Sequence, residues 1–150
     1  MTIDVVPFDG GETVWVIADR IRFLGGVAGS NLEMLEVTVP PGSGTPPHAH
    51  PSPEMFYILE GELRIRHFEA GEAPRTVVAD PGSAVRIGPM ESHDYSNESG
   101  KQVRMLVLVE PSMTAFFHDI GTVEPLTQPD FAKIGAAMQR HGIKTLDMAA

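Results

Sequence analysis

The chain has 150 residues, enough for one domain with a sizeable core. A hydrophobic fraction of 42% and a charged fraction of 21% describe an ordinary globular protein, and a formal net charge of −9 leaves no basic face for nucleic acid or an anionic membrane. Cysteine is absent, which excludes disulfides and thiolate metal sites, and 15 Gly with 13 Pro suit many short strands and turns.

Val14-Trp15-Val16-Ile17 and Ile21-Arg22-Phe23-Leu24 read as short strands. Leu35 to Val39 alternates apolar and polar side chains and stops at Pro40-Pro41. Met55 to Leu59 ends in Glu60-Gly61, and Leu63-Arg64-Ile65-Arg66 alternates again, so the pair reads as a hairpin. Thr76-Val77-Val78 and Ala84-Val85-Arg86-Ile87 flank the turn Asp80-Pro81-Gly82. Val103 to Val109 is a nearly all-apolar strand ended by Glu110-Pro111. Strands recurring about every ten residues predict an all-β sandwich or barrel. The character changes at Pro111. Ser112 is placed to cap a helix over Met113 to Ile120, closed by Gly121. A second helix is predicted from Asp130 to His141, with Gly142 as its stop. Phe131, Ile134 and Met138 share one face, expected to pack on the outside of the barrel. The chain thus divides into a barrel over about residues 1–111 and a helical extension over about 112–150. No apolar run reaches membrane length, and Met1-Thr2-Ile3-Asp4 carries neither a basic segment nor an apolar h-region, so a cytoplasmic location is expected.

Chemistry concentrates in two segments. His48 and His50 lie two apart, so in an extended segment both imidazoles point the same way. Pro46, Pro47 and Pro51 stiffen that segment, which lowers the entropy lost on ordering it. Glu54 opens the next strand, and His93 comes from a distant one. Three imidazoles and a carboxylate form a complete ligand set for one divalent transition metal, such as Fe, Ni, Mn, Cu or Zn, with positions left open for exchangeable ligands. Tyr95 is two residues after His93 and shares its inward face; it is placed to donate a hydrogen bond to an oxygen held at the metal, or to serve as pocket wall. Phe56 and Ile58 share parity with Glu54 and are expected to line a dry pocket. Asn97 is expected to hold a turn, Met90 to fill a gap near the pocket rim, and Arg64, Arg66, Arg86 and Arg104 to face solvent. His67, His118 and His141 have no partner at ligand spacing and read as surface or packing residues.

The spacing G-x5-H-x-H-x3-E-x6-G, from Gly42 through His48, His50 and Glu54 to Gly61, resembles the first cupin motif with every anchor in place. Gly82, His93 and Asn97 resemble the second, although Gly88 stands where proline is usual and Met90 where glycine is usual. The resemblance implies a small double-stranded β-helix, or jelly-roll barrel, usually dimeric. By the same resemblance His48, His50, Glu54 and His93 hold one metal in the barrel mouth. Size and layout are similar to small single-cupin proteins grouped with quercetin dioxygenases. That implies a metal-dependent dioxygenase acting on a small aromatic or enolisable compound, with Glu54 loosening from the metal to act as base. A redox-neutral isomerase or lyase would use the same ligands, and a non-catalytic small-molecule-binding barrel is the third reading. The short tail, with Lys133, Arg140 and Lys144 as its basic residues, gives no DNA-binding domain.

Overall fold

The computed structural model describes residues 3–146. Strands β1 (Thr13–Val16), β2 (Asp19–Gly26), β3 (Glu33–Val39), β4 (His48–Ala49), β5 (Glu54–Glu60), β6 (Leu63–His67), β7 (Arg75–Ala79), β8 (Ala84–Ile87), β9 (His93–Ser96) and β10 (Val103–Val109) precede helices α1 (Pro111–Ile120) and α2 (Phe131–Arg140) and a short β11 (Lys144–Thr145). They form two antiparallel sheets, ordered β1-β2-β3-β10-β5-β8 and β11-β4-β9-β6-β7. This is the all-β jelly-roll architecture with two short C-terminal helices. Among the described residues no helix is long and apolar enough to cross a membrane.

The core follows from strand parity. In β10, Val103, Met105, Val107 and Val109 are buried while the alternate residues are half-buried. They meet Leu35, Val37 and Val39 of β3 and Phe56 and Ile58 of β5 across a single cluster. Each such side chain contributes about 1.5–3 kcal/mol on burial. Ile58 is fully buried in this core and does not line the pocket, contrary to its expected place beside Phe56.

The expected hairpin of β5 and β6 does not form. β5 pairs with β10 and β8, whereas β6 pairs with β7 and β9, so the chain crosses from one sheet to the other at Gly61. Gly61 has φ +83°, and a Cβ there would lie 2.5 Å from the carbonyl oxygen of Gln102. Local alternation identifies both strands, but the partner of each is settled by which face it buries.

Helix α1 begins two residues earlier than the sequence suggests. Glu110 rather than Ser112 is its N-cap, and Pro111 opens it, since a first-turn residue needs no N–H partner. Helix α2 matches its prediction. Asp130 caps it by accepting from the Lys133 N–H at 3.0 Å. At the other end Ile143 N–H bonds Met138 O and Gly142 N–H bonds Gln139 O, with Gly142 left-handed at φ +70°, a Schellman stop.

The face of α2 does not pack on the outside of the barrel. Ile134 and Met138 line the internal cavity together with His48 and Glu54, and Phe131 at the helix start is 77% exposed. The cause lies downstream. β11 pairs with β4, Thr145 opposite His48, which draws the tail across the barrel mouth.

Candidate metal centre

β4 and β9 pair with His48 directly opposite His93. Met90 N–H donates to His50 O at 2.8 Å and ties the second segment to the first. Met90 takes φ +59°, the left-handed region where glycine is at ease, which accounts for glycine being usual there. Its side chain is exposed at 42% and fills no gap.

The three imidazoles converge, with one nitrogen from each within 4.8 Å of the others. Each Nδ1 faces a backbone carbonyl: His48 to Pro46 O at 2.8 Å, His50 to Ser52 O at 2.7 Å, and His93 to Glu91 O at 2.8 Å. A carbonyl only accepts, so each Nδ1 carries a hydrogen and each Nε2 is the atom turned toward the centre, with a lone pair to offer once its ring is neutral. Glu54 Oε1 lies 3.2 Å from His50 Nε2 and 3.0 Å from His93 Nε2. Ring nitrogens and a carboxylate converging in a buried pocket need a positive charge between them, a proton or a metal ion. Three oriented nitrogens and a carboxylate fit a divalent transition metal, and the carbonyl contacts are the supporting hydrogen bonds such a site requires.

Protons compete for the same lone pairs. Burial pushes the His48 imidazole down to about 4, with the His93 charge adding to it. Burial also works against the charged form of His50, but the Glu54 hydrogen bond and charge outweigh it and raise its pKa above 6.5. Burial works to raise Glu54, yet hydrogen bonds from His50 and His93 prevail and hold it down at about 2.

His48 and Glu54 open onto a cavity of about 140 Å3. Its walls are largely apolar: Phe56, Met105 and Val107 from the barrel, and Met113, Phe116, Ile134 and Met138 from the helices. Among the described residues neither Lys nor Arg lines it. Arg66 pairs with Asp94 and Arg104 with Glu36 and Glu60, Arg64 pairs with Glu98, and Arg86 is exposed. Tyr95 forms part of the wall, its ring edge-on to Phe56 at 6.0 Å. Its hydroxyl donates to Asp19 Oδ2.

Asp19 is the residue that sequence reasoning missed. It starts β2 after the two-residue turn Ile17-Ala18, opposite Val16, and lines the cavity at 5% exposure. Ser43 Oγ donates to its Oδ1 at 2.5 Å. A lone Asp before Arg20 carries no linear signal, because its cavity partners come from the β3–β4 loop and from β9. Asn97 has the expected turn role: buried, it donates to Val39 O and Lys101 O and accepts from Ser99. His118 stacks on Phe23 and His141 bonds Asp119 at 2.9 Å, while His67, opposite His93 in the β6–β9 pairing, lies beside Glu69; none of the three joins the converging group.

A family model described as "Cupin domain" matches residues 35–109. Comparison with curated proteins finds no match. Among solved structures, the polyketide cyclase RemF from Streptomyces resistomycificus superposes with TM-score 0.60 at 27% identity, covering 73% of this chain and 80% of that one. The oxalate decarboxylase from Bacillus subtilis gives 0.57 at 19% identity over 66% of this chain and 27% of that one, so this chain spans about a quarter of that enzyme. A cupin 2 conserved barrel domain protein from Rhodopseudomonas palustris gives 0.53 at 18% identity, covering 61% and 60%. The last two likenesses concern the fold.

Proposed function

The chain belongs to the cupin family, and on that premise we propose that it is a metal-dependent enzyme acting on a small, neutral, enolisable compound inside the capped barrel. One observation carries the reading: three imidazoles oriented with Nε2 toward one centre meet Glu54 beside a largely apolar cavity that His48 and Glu54 line. His48, His50, Glu54 and His93 would hold one divalent metal. Such a metal supplies Lewis-acid polarisation of a carbonyl or enol oxygen and a template for orienting it.

The chain's own residues do the rest. Side chains of α1 and α2 cover part of the cavity, and the water they displace strengthens the polar contacts inside. Phe56, Phe116 and Met138 grip an apolar body by contact area. The absence of Lys and Arg from the lining favours a neutral ligand. Tyr95 keeps its hydroxyl on Asp19, which makes it a positioning residue.

Two outcomes share an enolising first step. The redox-neutral one, isomerisation or lyase-type chemistry, is the reading the geometry supports best, because the cavity holds a carboxyl beyond the metal ligands. Similarity to a protein called a polyketide cyclase supports it as well. The dioxygenase outcome rests on the resemblance to quercetin dioxygenases, and an apolar cavity that would admit dioxygen favours it. Metal-loaded protein incubated with small ketones and enols, in air and under anaerobic conditions, separates them. Equal conversion in both atmospheres is expected. Oxygen uptake coupled to conversion would move the assignment to a dioxygenase, and no conversion with any loaded metal would overturn the enzyme reading. A cytoplasmic homodimer completes the proposal; exposed Ile3, Val5 and Phe8 near the N-terminus support association, and light scattering in solution tests it.

A further inference from the structure

Resting on the reading above, we propose that Asp19 carries the substrate proton, and that the substrate is a neutral monocyclic ketone with its carbonyl toward the His48–Glu54 end of the cavity and its α-carbon toward Asp19. Asp19 is buried and lines the same cavity as His48 and Glu54. Its two oxygens accept one hydrogen bond each, from the neutral hydroxyls of Ser43 and Tyr95. Each carboxylate oxygen has two lone pairs, so one on each is free to take a proton. Among the described residues no Lys, Arg or His pairs with it, so it is not half of an ion pair.

A scaffold role alone does not ask for a charge here. An asparagine could keep contacts to both hydroxyls without burying a carboxylate. Burial, opposed by the Ser43 and Tyr95 hydrogen bonds, raises the Asp19 pKa to about 6, close to the working pH that suits a group taking and returning a proton. The groups facing it are His48 from β4, Glu54 from β5, Tyr95 from β9, and Ser43 and Thr45 from the β3–β4 loop, while α1 and α2 present only apolar side chains. The adjoining turn stores strain. Ile17 sits at φ +59°, a position where hairpins use glycine, and it lines the cavity while Leu126 N–H holds its carbonyl at 2.8 Å.

The step balances without an oxidant. The α-carbon C–H breaks, the proton forms an O–H on Asp19, and the electron pair moves into the adjacent carbonyl to give an enolate. Return of the proton to the same carbon restores the ketone. Return to the far end of a conjugated enolate gives the isomer. Size follows from volume: the cavity of about 140 Å3 is close to the ~150 Å3 that holds one benzene ring in an engineered core.

The test uses zinc-loaded full-length protein, cyclohexenone in heavy water, and proton NMR to follow exchange. Wild type is expected to catalyse exchange at a rate that rises through an inflection near 6. Asp19→Asn should lose roughly 100-fold or more with zinc content and a cooperative melting transition retained. Carboxyl-carbon NMR of the metal-free protein should show one aspartate titrating near 6 that is missing from the variant, a readout independent of turnover. Undiminished exchange by Asp19→Asn would overturn the role of Asp19 and leave the enzyme reading standing. No exchange by wild type with any ketone tried, zinc being bound, would overturn both. If Asp19→Asn does not fold, Tyr95→Phe keeps the carboxyl and removes one donor. The inflection must then move upward, and an unmoved inflection overturns the proposal. Equal exchange of the two-ring ketone tetralone would overturn the size class.

Discussion

Replacing Asp19 with Asn should make the protein more stable near neutral pH and not at acid pH. The native state holds the Asp19 proton more tightly than the unfolded chain, with a pKa of about 6 against 3.8. A carboxyl raised in this way contributes stability that is full below 3.8 and is lost as pH rises through about 6. At about 1.4 kcal/mol per pH unit, the gap is worth about 3 kcal/mol above pH 7, of which about 2–3 kcal/mol is lost between pH 4 and 8. The side chain is almost wholly buried, so solvent screening does not reduce the figure. Asn cannot ionise and escapes the loss. Urea unfolding of both proteins across pH 4–8 provides the assay. Contributions from Glu54 and the histidines are common to both and cancel in the difference. The stability of Asp19→Asn relative to wild type should therefore climb by about 2–3 kcal/mol from pH 4 to 8, equivalent to roughly 5–10 °C in Tm for a chain of this size. A difference that stays flat across this range would refute the claim that Asp19 is buried as a costly carboxylate.

Metal uptake at pH 7 should release protons, because the metal displaces the one that Glu54 holds on His50; calorimetry in buffers of different ionisation enthalpy reads the number, and affinity should weaken as pH falls through 6.5. Gly61→Ala should cost more than about 2 kcal/mol, since its Cβ would strike Gln102 O at 2.5 Å in a left-handed backbone, while Met90→Gly should be neutral or stabilise by up to about 1 kcal/mol; thermal melts check both. Ile134→Ala with Met138→Ala should widen the cavity and let two-ring ketones bind that wild type excludes, as read by ligand-observed NMR.

The parts of the fold that lie within one strand or one helix were legible from the sequence. A nearly unbroken apolar run marked Val103 to Val109, alternation marked Leu35 to Val39, and Asp130 with Gly142 bounded α2, because capping and hydrophobic pattern are local. Strand partners were not legible. Gly61 reads as a hairpin turn, yet the contact that makes it a sheet crossing is with Gln102, far along the chain. The convergence of His48, His50, Glu54 and His93 was legible because its spacing is itself the signature. Asp19 was invisible for the opposite reason: its partners Ser43 and Tyr95 come from two other segments, so no spacing marks it. The placement of Ile134 and Met138 over the mouth, rather than on the outer wall, depends on two residues of β11 finding β4.

The central claim is that His48, His50, Glu54 and His93 form one metal site, and elemental analysis of purified wild type beside Glu54→Ala and His93→Ala tests it most directly. The account predicts near-stoichiometric divalent metal in wild type and its loss from both variants, with all three folded by circular dichroism. A wild type that stays metal-free after reconstitution with iron, nickel, manganese, copper and zinc, or variants that retain the full complement, would contradict it.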